Sequence, residues 1–341
     1  MFQSSLRLWP RLCCAAALLV TSGLPATATA ATAGRQVIAV SAATTASANI
    51  LTVGLKLPGH PHTVDIYRPA GATRAIVFLH AHGGRSWQLA YDLGINRKYR
   101  PASDRNVDWA TLERLGVIAI FPQGQVPSGS TLPTWSNQVF DSGQDDVAFL
   151  AALSMHARSA WGARSVAVAG HSAGGTMTAR MWCEGTPAYD AFFSIAGPMP
   201  SPDYPLYGAT CTPLAPAPYA VVIGDRDSKL GLFAAGVTEP SPEQLAAGLT
   251  DTILVSEWTR HADRGEVVCG DMSTLGAAQA TPKGTLWSVC GGALRYTVVP
   301  GADHPIASIE QQAGLRLLDW VNDFAEAAAP TPTAAAAAAV R

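Results

Sequence analysis

The residues of this chain whose types and spacing could do covalent chemistry are concentrated in residues 165–175, Ser-Val-Ala-Val-Ala-Gly-His-Ser-Ala-Gly-Gly. An apolar run, Val166 to Ala169, ends at Gly170. Gly170-His171-Ser172-Ala173-Gly174 then fits G-x-S-x-G, the pattern of a serine held on a sharp strand-to-helix turn. On such a turn the backbone is strained and the hydroxyl is lifted clear of the sheet edge, so the residues two before and two after the serine must be small. A hydroxyl presented this way becomes a nucleophile once a base takes its proton. The amide of the next residue, at a helix N-terminus, would face the oxygen of a tetrahedral intermediate. Ser172 is thus the candidate nucleophile and Ala173 a candidate oxyanion donor.

A serine on such an elbow needs a base and an acid to orient it, both later in the chain. Only His261 and His304 follow. His261 falls in residues 257–262, which read as helix, whereas His304 sits in Gly301-Ala302-Asp303-His304-Pro305, directly after the strand-like residues 295–299. Chain order and the strand-end position select His304. For the acid, the buried strand of residues 219–223 ends at Gly224-Asp225-Arg226-Asp227, and both aspartates are eligible. A second oxyanion donor is expected where the apolar run 75–79 empties into His80-Ala81-His82-Gly83-Gly84, because glycines let the main chain approach a substrate. The amides of His82 and Gly83 are the candidates, with the His80 side chain expected only to satisfy loop hydrogen bonds. This chemistry requires no metal and no organic cofactor.

The elements that must position these groups alternate. Residues 50–57 and 62–67, separated by Pro58-Gly59-His60-Pro61, read as an edge hairpin with His60 and His62 exposed on it. Strands are expected at residues 75–79, 117–121, 166–169, 191–195, 219–223 and 295–299. Helices are expected at 109–115, 145–156 with Asp145 and Asp146 capping its N-terminus, 173–183, and 306–324 as one final helix. Continuous apolar strands alternating with amphipathic helices predict an α/β fold, with a mostly parallel central sheet and helices on both faces.

Composition bounds the rest. With 341 residues, 48% apolar and 14% charged, one large α/β domain is the economical reading, and a net charge of −2 gives no reason to expect nucleic acid or an anionic membrane as partner. Arg7 and Arg11, the short apolar stretch 13–24 and the small residues of Ala26-Thr27-Ala28 and Ala28-Thr29-Ala30 read as a signal peptide over residues 1–30, too short in its apolar part to stay in a bilayer as a span. Residues 31–48 then form a flexible leader, 49–326 the catalytic domain, and 327–341 a disordered Ala/Pro/Thr tail. The protein is expected to be secreted. Cys183, Cys211, Cys269 and Cys290 would remain after processing, an even count favouring two disulfides in an oxidising compartment. Separation favours Cys183 with Cys211 and Cys269 with Cys290. No C-x-x-C spacing supports a zinc site.

From about Val64 to Trp320 the chain resembles the secreted esterase family that groups polyhydroxybutyrate depolymerases with feruloyl and acetyl xylan esterases. The resemblance is carried by Leu79-His80 with Gly83-Gly84, Phe121-Pro122-Gln123-Gly124, Trp135, Asp145-Asp146-Val147-Ala148-Phe149-Leu150, the elbow, Cys183, Cys211, Gly224-x-x-Asp227, Trp258 ahead of Cys269, and Gly301-x-x-His304, in that order. It implies the α/β-hydrolase fold, with Ser172 as nucleophile, Asp227 rather than Asp225 as acid, and His304 as base. It also implies the two disulfides above and, as partner, an ester substrate that can be polymeric. Trp87 and Trp135 are the candidate cleft-lining aromatics. Two rival readings share the sequence: an acyltransferase with the same triad, and a non-catalytic polymer-binding protein.

Overall fold

The uninterrupted apolar runs become the buried middle of one sheet. The computed structural model describes residues 48–137, 139–184, 188–197, 217–229 and 279–329. Its strands are β1 (Ile50–Leu55), β2 (Val64–Arg68), β3 (Arg74–Leu79), β4 (Val117–Pro122), β5 (Ser165–His171), β6 (Ala191–Ile195), β7 (Tyr219–Gly224), β8 (Gln279–Thr281), β9 (Gly284–Val289) and β10 (Leu294–Val299). They lie in the order β1-β2-β4-β3-β5-β6-β7-β10-β9-β8. From β4 across to β10 every pairing is parallel; β2 is antiparallel to β4 and β9 to β10, with β1 and β8 outermost. An antiparallel second strand, the β4-β3 exchange and a nucleophile-type turn after β5 make this the α/β-hydrolase fold.

Helices α1 (Ser86–Asp92), α2 (Trp109–Leu115), α3 (Asp146–Trp161), α4 (Ala173–Cys183), α5 (Ile306–Ala313) and α6 (Leu317–Ala328) cover the sheet. Alternate side chains of β5 show how it is buried twice. Val166 and Val168 join Phe149, Leu150 and Leu153 of α3 and Met177 and Met181 of α4 in one cluster. Ala167 and Ala169 join Leu89 of α1, Leu112 of α2, Ile309 of α5 and Val321 and Phe324 of α6 in the other. Each fully buried large side chain contributes about 1.5–3 kcal/mol, so the two clusters fix the strand order that the site depends on.

The fold departs from the sequence expectations in four places. The final helix is two helices: Gly314 ends α5 in the left-handed region at φ 64°, a conformation that interrupts helical hydrogen bonding. His62 is 1% exposed, not an edge residue. Its Nε2 lies 2.6 Å from Asp146 Oδ1, and its ring stacks 3.8 Å from that of Phe149, so a polar ring is buried by pairing one face with an aromatic and one nitrogen with a carboxylate. Asp145 alone caps α3, accepting from the Ala148 amide, while Asp146 is wholly buried and also accepts from Ser136 N and Ser142 Oγ. Helix α1 and the β8–β9 hairpin had no clear signal; the buried apolar positions of α1 are only Leu89 and Ala90, too few to show a period. Among the described residues no helix is long and apolar enough to cross a membrane.

Candidate active site

Because β3, β5, β6, β7 and β10 are parallel neighbours, the loops after them meet at one rim. β5 delivers the elbow. Ser172 has φ 54° and ψ −118°, a strained conformation for a residue with a side chain, costing about 1–3 kcal/mol. Surrounding contacts hold it there: its N–H donates to Ile195 O at 2.8 Å, and its carbonyl accepts from Thr176 N at 2.9 Å. The glycines are demanded sterically. A Cβ on Gly170 would lie 2.1 Å from Gly174 O, one on Gly174 2.2 Å from Leu79 O, and one on Gly197 2.4 Å from Ser172 O.

β7 and β10, adjacent in the sheet, deliver the other two side chains. Asp227 is completely buried, and both of its oxygens face His304 Nδ1, at 2.9 and 3.0 Å. Oδ1 also accepts from Lys229 N at 2.9 Å. A carboxylate accepting from Nδ1 fixes the imidazole with Nδ1 protonated and Nε2 free to take a proton. Asp225, equally eligible by sequence, turns away and accepts from Gly301 N at 2.6 Å, tying the β7 loop to the β10 loop. Asp303 adds a second tie, accepting from Ser228 N at 2.9 Å and His304 N at 2.7 Å. Burial works against its charge, but these amide donors outweigh it and hold its carboxyl below the usual range.

His171, the unread x of G-x-S-x-G, joins the elbow to the histidine loop. Its Nε2–H donates to the His304 carbonyl at 3.0 Å, and the two rings lie 5.1 Å apart. Burial, reinforced by the neighbouring His304, depresses its pKa to about 3, so it stays a neutral donor. Among the described residues no hydrogen bond joins Ser172 Oγ to His304. The structure brings Asp227 and His304 together and sets His304 beside the elbow, while the last link is open. In ligand-free sites such contacts are often long and tighten with substrate.

The loop after β3 supplies main-chain donors. Gly83 is not among them, a correction to the sequence expectation: its N–H is spent on Pro133 O at 2.8 Å, and that of Gly84 on Ala81 O at 2.9 Å. The amides of His82 and Ala173 have no acceptor among the described residues, the latter because the first N–H groups of a helix lack intrahelical partners. His80 braces this loop from below. Its Nδ1–H donates to Ala81 O at 2.7 Å, and its Nε2 accepts from Gly124 N at 2.9 Å. Burial lowers its pKa to about 4, which preserves the neutral form that this pattern requires. Trp135 is fully buried and donates from Nε1 to His80 O at 2.9 Å, so it is a strut for the loop and not a cleft-lining residue. Trp87, half-buried near the start of α1, sets its ring edge-on to Tyr99 at 5.0 Å. Cys183 is disulfide-bonded; Cys211, Cys269 and His261 lie outside the described residues, and of Cys290 only the backbone is described.

Sequence reasoning missed His171, Asp303 and Asn137, whose buried Nδ2 donates to Ala173 O at 2.7 Å. A histidine inside the elbow pattern is a visible signal for the first; the other two are loop residues whose ties to Ser228 and Ala173 span 75 and 36 positions.

In comparisons with known proteins, no family model and no curated relative matches the chain. Similar solved structures include an acetyl xylan esterase from Aspergillus awamori, 17% identical, covering 78% of this chain and 99% of that one with a TM-score of 0.49. An S-formylglutathione hydrolase from Agrobacterium tumefaciens is 11% identical over 82% and 97% of the two chains, with a TM-score of 0.47. Poly(aspartic acid) hydrolase-1 from Sphingomonas sp. KT-1 is 18% identical over 80% and 98%, with a TM-score of 0.44.

Proposed function

We propose that the chain is a secreted serine hydrolase of carboxylic esters. The observation that carries this reading is the buried Asp227 carboxylate gripping His304 Nδ1 with both oxygens, on the strand ends beside a strained Ser172. His304 Nε2 takes the Ser172 proton as Oγ attacks the ester carbonyl. The negative charge passes to the carbonyl oxygen, where the amides of Ala173 and His82 stabilise it. Collapse expels the alcohol, which receives the proton from His304, and leaves an acyl-serine. Water then attacks with His304 as base, the acid departs and Ser172 recovers its proton. Asp227 keeps the ring in the productive tautomer and stabilises its cation.

The substrate class in this proposal comes from the sequence resemblance: 3-hydroxybutyrate-type polyesters and their oligomers, or feruloyl and acetyl esters of plant polysaccharide. The test pairs active-site labelling by a fluorophosphonate with turnover of p-nitrophenyl acetate. Ser172→Ala is expected to lose labelling and at least about a thousandfold in turnover; near-full activity in that variant would overturn the assignment. A panel of short hydroxyalkanoate, feruloyl and acetylated-xylan esters, assayed with and without an alcohol acceptor, then ranks substrates and separates hydrolysis from acyl transfer.

A further inference from the structure

A cavity of about 270 Å³ lies against the flank of the sheet, away from the rim that carries the triad. It is open on one side and bounded by residues of β6, β7 and β10, of α6 and of the β8–β9 hairpin. Its walls are mainly apolar: Phe193, Leu286, Trp320 and Phe324. Two cations line it, Lys283, half-buried on the hairpin turn, and Arg295, exposed on β10. Lys283 Nζ lies 5.0 Å from the Trp320 ring centroid, and the Arg295 guanidinium carbon 5.5 Å from that of Phe324.

Neither cation has a carboxylate partner among the described residues. Arg295 donates Nε–H to Gly292 O at 2.9 Å, which leaves both of its terminal nitrogens without an acceptor, and the Lys283 ammonium has none either. Of the acids on α6, Asp319 is engaged by Arg114 and Glu326 by Arg74, while Asp323 is exposed and makes no ion pair. A cation on an aromatic face exchanges part of its hydration for a weaker partner; Lys283 is half-buried, while Arg295 is exposed and keeps access to water. Two positive side chains thus line one mainly apolar space with no carboxylate beside them among the described residues.

We propose that this cavity is a binding site for a small amphipathic carboxylate, with its head group between Lys283 and Arg295 and its apolar body against Trp320, Phe324 and Leu286. The head group is taken as a single carboxylate, because the cavity beyond the two cations is mainly apolar and a guanidinium fork pairs with a planar carboxylate through two parallel hydrogen bonds. The size follows from the volume: at roughly 30 Å³ per water, the space holds about nine waters, or a ligand of about ten non-hydrogen atoms. The site is distinct from the candidate active site. Val221 lies three residues short of the end of β7, about 10 Å along the strand, and none of Ser172, Asp227 or His304 lines the cavity.

The proposal is independent of the reaction assigned above, and its test does not read activity. Phenylacetate and its neutral counterpart 2-phenylethanol are titrated into the full-length protein by calorimetry and by tryptophan fluorescence, in the wild type, in Ser172→Ala and in the double variant Lys283→Met with Arg295→Met. Saturable phenylacetate binding is expected with a dissociation constant of about 1 mM or tighter, at least about tenfold weaker for the alcohol and for the double variant, and unchanged in Ser172→Ala. Equal binding of acid and alcohol to the wild type, no saturable binding, or loss of binding in Ser172→Ala each overturns the proposal. The acid–alcohol comparison uses the unaltered protein and so stands whether or not the double variant folds.

Discussion

Gly174→Ala tests whether the elbow and the oxyanion loop are one mechanical unit. The added methyl would sit 2.2 Å from Leu79 O and 2.8 Å from His80 O, where ordinary contact begins at 3.4 Å, so the end of β3 must retreat by about 1.2 Å. No flexible side chain can yield, because the obstructing atoms belong to the backbone of Leu79 and His80, where the His80 carbonyl is held by Trp135 Nε1 and the His80 ring by Gly124 N. Overpacking of this kind costs about 1–3 kcal/mol, which for a domain of this size lowers Tm by roughly 2–5 °C. The larger effect falls on rate. The displaced segment carries the His82 amide, and a shift of about 1 Å between this donor and that of Ala173 is expected to lower kcat about a hundredfold. Turnover of p-nitrophenyl acetate well below the Tm of the variant, alongside a thermal melt by circular dichroism, separates the two consequences. A folded Gly174→Ala protein with kcat within about threefold of wild type would refute the claim that packing between helix α4 and the oxyanion loop sets the site geometry.

Three further outcomes are expected. Asp227→Asn retains the shape of the side chain but removes the charge and places an amide where Nδ1–H and Lys229 N–H both need an acceptor, so kcat falls about 10³–10⁴-fold, read by ester turnover; a loss under tenfold contradicts the role given to this carboxylate. His171→Phe keeps the ring but deletes the donation to the His304 carbonyl, and is expected to lower kcat about tenfold with KM little changed; a KM effect alone would move His171 to substrate binding. Stability should fall on acidification. His80 and His171 have folded-state pKa values lowered to about 4 and about 3, so their contribution is complete above the unfolded-state value near 6.5 and is lost as pH falls through that window towards 4 and 3. Each group alone removes a few kcal/mol by pH 4, and a Tm that is flat between pH 7 and 4 would show that the two rings are not held neutral.

Much of the candidate site is legible in sequence because its constraints are local. The elbow needs small residues at fixed offsets from Ser172, and the steric distances at Gly170 and Gly174 give the reason. The inner strands can be read as well, since a strand buried on both faces is apolar nearly throughout, as β4 and β7 are and as β6 is except at Ser194. His62 illustrates the opposite case. Two residues from His60 on a Pro/Gly-rich connection, it reads as exposed, and only the arrival of Asp146 and Phe149 from across the sheet buries it. Trp135 is similar: an aromatic in a loop can line a cleft or brace a backbone, and the partner that decides is His80, 55 residues away.

The order serine, aspartate, histidine and the strand ends that carry them are properties of the chain, because turn chemistry and strand burial act over a few residues. The turning of Asp225 onto Gly301 N, the engagement of the Gly83 amide by Pro133, the strut role of Trp135 and the placing of Lys283 and Arg295 with no carboxylate beside them among the described residues belong to the tertiary structure alone. Each depends on which acceptor or counter-charge a distant segment brings within about 3 Å, and hydrogen bonds and ion pairs fall away over such short distances that sequence spacing cannot encode them.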